Sequence, residues 1–155
     1  MNESAANRKP QQELVLERFM PFKVAVLSNN IASKFAERYG RHHSLSVADW
    51  RVLAVVAPQP GITGREVVEL TNIEKTQVSR AVARMTDRNL LLRVVNAEDR
   101  RLHHLSATPA GLSIYRALAP EELELEARLL KGFSAEQLAT LDALLDRLHA
   151  AVQAL

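Results

Sequence analysis

The sequence predicts a mainly α-helical protein with a small β-hairpin wing, a winged helix-turn-helix region joined to a helical dimerisation region. Three observations predict it. A short capped helix leads through a tight turn into a second helix with one apolar and one polar face. Two short, branched apolar segments then flank a polar tip of Glu98, Asp99, Arg100 and Arg101. The final residues repeat leucine at steps of three and four. The first two features suit a protein that sets one helix in a DNA major groove and a hairpin tip in the adjacent minor groove.

The chain has 155 residues, 47% of them hydrophobic, enough for one sizeable core and few for two independent ones. Its formal net charge of +2 is too small for non-specific packaging of nucleic acid, but the charge is uneven. Residues 1–60 carry a net +3, residues 61–111 a net +2 and residues 112–155 a net −3, so the acidic end is expected to face away from phosphate. The absence of cysteine excludes disulfides, thiolate metal clusters and thiol-based redox sensing. No apolar run reaches the ~20 residues of a membrane span, and residues 1–12 are polar, without the apolar core of a secretory signal. The expectation is a cytoplasmic protein without membrane contact.

In chain order, residues 1–12 read as a loose arm and residues 13–45 as the first dimerisation helix region. Pro21 either stops a short helix near Met20 or marks a kink. From Val24 a clean pattern of Val24, Leu27, Ile31 and Phe35 runs to Tyr39, with Gly40 as its expected stop. Residues 46–107 form the winged helix-turn-helix region. Ser46 with Asp49 opens a buried helix carrying Trp50, Leu53 and Val56, which Pro58, Pro60 and Gly61 end. Thr63 with Glu66 opens a helix of little more than two turns. Thr71, Asn72 and Ile73 form the turn, where asparagine tolerates a left-handed backbone.

The next helix spans about Glu74 to Arg88. At ~100° per residue, Val78, Ala81, Val82 and Met85 fall on one stripe, and Thr76 and Arg80 point the opposite way, flanked by Gln77 and Arg84. Arginine bonds guanine, glutamine bonds adenine and threonine bonds either, so these outward residues suit base edges and phosphates. Leu90–Val95 and Leu102–Ala107 read as the hairpin. Two adjacent arginines at its tip repel unless an anion meets them, and Asp99 is spaced to hold the Arg101 guanidinium extended.

The tract LLRVVNAEDRRLHHLSATPAG resembles the wing signature of the MarR family of bacterial transcription regulators, Asp-Pro-x-Asp-Arg-Arg followed by Leu-x-Leu-Thr-x-x-Gly. Asp99, Arg100, Arg101, Leu105, Thr108 and Gly111 match it, while Asn96, Ala97, Ala107, Asn89 and Glu74 depart from the usual pattern around it. The resemblance implies a DNA-binding set of Thr76, Gln77, Ser79, Arg80, Arg84, Asp99, Arg100 and Arg101, with Arg101 in the minor groove. It also implies a homodimer built from the first and last helices, reading a pseudo-palindromic stretch of double-stranded DNA with recognition helices ~34 Å apart.

Residues 108–155 supply the C-terminal dimerisation helices. Thr108 and Pro109 start one helix, Pro120 kinks or divides it, and Lys131 with Gly132 closes it. Ser134 with Gln137 caps a last helix whose Leu138, Leu141, Leu145, Leu148 and Val152 form a seam, either for the chain's own first helix or, as the stripe's length favours, for a second subunit.

The family resemblance implies a release signal from a small aromatic ligand, and the tracts MPFKVAVLSNNIA and LSVADWRVLAVVA, which look similar to regulators of hydroxycinnamate catabolism, imply an aryl-coenzyme A thioester. Candidate effector residues are Asn29, Asn30, His42 and Trp50, each with an ordinary alternative as a solvated or core side chain. An alternative is a zinc-responsive regulator of the same fold using His42, His43, His103, His104 or His149. Five glycines, no phosphate-binding loop and no His-Glu-x-x-His motif point away from an enzyme, and neither a cofactor nor a catalytic residue is expected.

Overall fold

The computed structural model describes residues 13–95 and 103–155. Contacts divide the chain between Val47 and Ala48. Before the division, a 3₁₀ turn at Leu16–Arg18 leads into helix α1, Met20–His43. Pro21 is the second residue of α1, where a missing N–H costs nothing because first-turn donors lack intrahelical partners. The short helix of Leu16–Arg18 thus stops at an extended Phe19 just before Met20, the first of the two outcomes expected around Pro21. Gly40 does not end α1. The helix runs through it, and the left-handed residue is Ser44, at φ 51°. Every residue from Glu13 to Asn30 is exposed, Phe22, Val24 and Leu27 included.

The second unit carries helix α2 (Val47–Val56), which crosses the division, then strand β1 (Ile62–Thr63), helices α3 (Gly64–Thr71) and α4 (Lys75–Asp87), strands β2 (Leu91–Val95) and β3 (His103–Ala107), and helices α5 (Pro109–Leu130) and α6 (Ala135–Gln153). β1 is an addition to the expected hairpin. It pairs with β3 through Ile62–Leu105 and Thr63–His104, giving an antiparallel sheet of order β1-β3-β2. Gly61, at φ 89°, turns the chain into it, and its N–H reaches Leu105 O at 2.8 Å.

The core of this unit gathers Val52, Leu53 and Val56 from α2, Val67 from α3, Val78, Ala81 and Met85 from α4, Leu91, Leu105, and Leu118 of α5. Pro120 lies inside α5 without dividing it. Lys131 and Gly132 make the turn before α6, and the Ser134 box forms in full. Ser134 N–H donates to Gln137 Oε1 at 2.8 Å and Gln137 N–H to Ser134 Oγ at 3.2 Å. No residue of α6 is buried. No described helix is long and apolar enough to cross a membrane.

Candidate nucleic-acid interface

Local hydrogen bonds build the helix-turn-helix. Thr63 N–H donates to Glu66 Oε2 at 2.8 Å, its hydroxyl to the same oxygen at 2.7 Å, and Glu66 N–H returns to Thr63 Oγ1 at 3.3 Å. These bonds hold the Glu66 carboxyl below the usual glutamate range. At the other end of α3, Thr71 Oγ1 donates to Val67 O at 2.6 Å. Asn72 stands left-handed at φ 50°, donating its N–H to Val68 O at 3.0 Å. The chain then turns straight into α4. Glu74 caps it, accepting from Thr76 N–H at 3.2 Å and from the Thr76 hydroxyl, and these bonds lower its pKa. Glu74 is thus an effective cap despite its departure from the family pattern.

α4 divides into faces as its periodicity predicts. Val78, Ala81, Val82 and Met85 are buried, while Thr76, Gln77, Ser79 and Arg80 are exposed. Arg80 forms no ion pair among the described residues, and Thr76 keeps a methyl and acceptor lone pairs for a base edge once its proton is given to Glu74.

Two members of the expected DNA-binding set are engaged differently. Arg84 Nη2 donates to Asp49 Oδ1 of α2 at 2.7 Å, while half of the Arg84 side chain stays exposed. Ser79 lies on the flank of α4 and lines a cleft of about 270 Å³ with Thr63, Val68, Val82 and Leu105, under a basic rim of Arg65, Lys75, Arg93 and His103. Lys75 and Arg93 escaped the sequence reading. Arg93 is the one charged residue in the otherwise apolar β2, and that interruption was the available signal.

The wing pairs Leu91 with Ala107, Arg93 with Leu105 and Val95 with His103, leaving Leu92, Val94 and Val95 exposed. Asp99, Arg100 and Arg101 lie outside the described residues. The base of the wing explains the second half of the matching tract. Thr108 Oγ1 accepts from Gly111 N–H at 3.0 Å, capping α5, and donates to Asn89 O at 2.7 Å. Asn89 sits left-handed at φ 55°, replacing the usual glycine by the other residue type that tolerates this conformation. Gly111 is required for a different reason. A Cβ there would meet Leu90 O at 2.1 Å. One threonine and one glycine thus clasp the end of the recognition helix to the start of α5.

The effector candidates are dispersed by environment. Asn29 and Asn30 are exposed on α1, and the His42 side chain is not among the described ones. Trp50 is buried, its ring 6.2 Å from that of Tyr115 at 25°, which is a core role. Among the described residues no three of His, Asp and Glu converge on a metal position. His103 Nδ1 is buried without a hydrogen-bond partner among them.

A capped helix, a left-handed turn, a second helix with an exposed polar face and an antiparallel wing together define a winged helix-turn-helix fold. Residues 43–102 match the model of the MarR family. The homoprotocatechuate degradative operon repressor of Escherichia coli is 24% identical over 106 residues, covering 68% of this chain and 72% of the relative. Two solved structures share the fold. The PcaV transcriptional regulator of Streptomyces coelicolor, in complex with its natural ligand, superposes with a TM-score of 0.77 at 20% identity, over 92% of this chain and 99% of the other. A putative MarR-family regulator of Listeria monocytogenes complexed with 26mer DNA gives a TM-score of 0.79 at 19% identity, over 87% and 89%.

Proposed function

We propose that this chain is a homodimeric, sequence-specific DNA-binding repressor released by a small aromatic acid or an aryl-coenzyme A thioester. The observation that carries the DNA-binding part is the division of α4, with Thr76 and Arg80 exposed opposite a buried stripe, Gln77 exposed on the flank, and α3 and its turn holding the helix at the surface. Thr76, Gln77 and Arg80 read base edges in the major groove, and Arg100 and Arg101, with Asp99 orienting Arg101, meet the minor groove. Ser79 is reserved for a phosphate at the cleft. The dimer is supported by α6, whose Leu141, Leu145, Leu148 and Val152 are exposed along one stripe, with Leu138 half-buried at its start and Leu144 beside it. The relative that represses a homoprotocatechuate operon and the ligand-bound solved structure support an aromatic effector.

Fluorescence-anisotropy titration of a duplex selected from a randomised pool tests this reading. Arg80→Ala and Arg101→Ala are each expected to weaken binding by ~1–3 kcal/mol at fixed salt with the thermal midpoint unchanged. Unchanged affinity in both variants would remove them from the interface. A hydroxycinnamoyl thioester added to the complex is expected to release the DNA, and an undisturbed complex counts against that effector class.

A further inference from the structure

The Asp49–Arg84 pair has features that packing alone does not require. Asp49 has 5% of its side chain exposed and Arg84 50%, and their 2.7 Å contact joins α2 to α4 across 35 positions of sequence. A buried carboxylate costs several kcal/mol to desolvate even when paired, and an apolar residue fills such a position at lower cost. The apolar stripe of α4 is Val78, Ala81, Val82 and Met85, three small or short side chains and one adaptable thioether. Such a stripe anchors the helix but tolerates some rotation about its axis, whereas a charge-assisted hydrogen bond is directional.

At ~100° per residue, Arg84 lies on one flank between the stripe and the outward face, and Lys75 and Ser79 lie on the other flank, over the cleft. The residue after Asp49 is Trp50, stacked on Tyr115 of α5. Two consecutive residues of α2 therefore grip the recognition helix and α5.

We propose that Asp49 is a positioning residue that fixes the rotation of α4 about its own axis, keeping Thr76, Gln77 and Arg80 outward and withholding the Arg84 guanidinium from the phosphates. The proposal rests on the regulator reading above. Asp49 itself touches no DNA.

Asp49→Asn keeps the shape and removes the charge. Its affinity for the selected duplex is expected to fall about tenfold while its affinity for a scrambled duplex stays within about twofold, because misrotation spoils base readout and leaves phosphate attraction intact. Released Arg84 is also expected to steepen the slope of log K against log salt on the scrambled duplex by about one. Arg84→Met should lose the same discrimination without the steeper slope. A purely structural role would lower both affinities together and leave the slope alone.

Circular dichroism melts accompany each variant, and if Asp49→Asn does not fold, Arg84→Met carries the test. A folded variant that keeps the wild-type ratio of selected to scrambled affinity overturns the proposal. If the wild-type chain itself prefers no duplex, the regulator reading fails first and this inference falls with it. A specific wild type beside an equally specific Asp49→Asn sinks the inference alone.

Discussion

The winged segment and the last helix are built from similar apolar residues and the same kind of cap, yet they end in opposite states. From α2 to the start of α5 one apolar residue set closes into a core, with Leu53, Met85, Leu91 and Leu105 almost fully buried, while Leu70, Leu92, Val94 and Val95 stay exposed. α6 has a capping box as complete as that of α3 and a leucine at nearly every core-type position, and buries nothing. The difference separates local from tertiary stabilisation. Caps and helix propensity set where α6 starts, but an isolated helix of this length is marginal in water without a packed face. The winged unit finds its partners within its own sequence, whereas the stripe of α6 is completed, on our proposal, by a second copy.

The largest expected effect is at the clasp. Gly111→Ala forces a Cβ onto the Leu90 carbonyl and should destabilise the winged unit by about 3 kcal/mol or more in urea denaturation. Gly132→Ala, in the turn before α6, meets nothing within 4 Å and should change stability by less than about 1 kcal/mol. Equal losses would erase the contrast.

Next, Leu145→Asp on α6 should abolish any dependence of the thermal midpoint on protein concentration, removing roughly 2 kcal/mol of association-linked stability at micromolar protomer, and should yield a monomer in sedimentation. A variant that sediments like the wild type would show that this stripe is not the seam.

Smaller again are the caps. Thr63→Ala and Ser134→Ala each remove a side-chain acceptor and should cost ~1 kcal/mol, with the first felt in DNA affinity and the second in dimerisation.

The smallest effect separates the two boxes by pH. Glu66 has a lowered folded pKa, caused first by the Thr63 hydroxyl, so its contribution is present above the ordinary glutamate range and is lost as pH falls through the folded value. The equivalent position before α6 is Gln137, which does not titrate. Acid should therefore loosen the start of α3 before that of α6, read by amide exchange, and Glu66→Gln should make the two alike.

The elements that local chemistry determines were legible in the sequence. The Thr63–Glu66 box, the left-handed Asn72, the buried stripe of α4 and the Ser134–Gln137 box need only residues three or four apart. Errors arose where a residue's local preference was outweighed. Gly40 suggests a stop, but its cost inside a helix is only ~1 kcal/mol relative to alanine, and α1 continues past it. Pro120 removes one backbone donor without ending α5, so of the two outcomes expected there only the division is excluded.

What the sequence could not reveal are pairings across distance. β1 is two residues long and exists because Leu105 and His104 lie opposite it. The bond from Arg84 to Asp49 spans 35 positions, and Arg65, Lys75 and Arg93 share a cleft although they come from three elements.

The central claim is that paired recognition helices read DNA at the spacing of one helical turn. Hydroxyl-radical footprinting of the wild-type protein on a selected duplex tests it directly. The account predicts two protected segments centred about 10 base pairs apart, both fading with Arg80→Ala. A single protected segment, or even protection along the duplex, would contradict it.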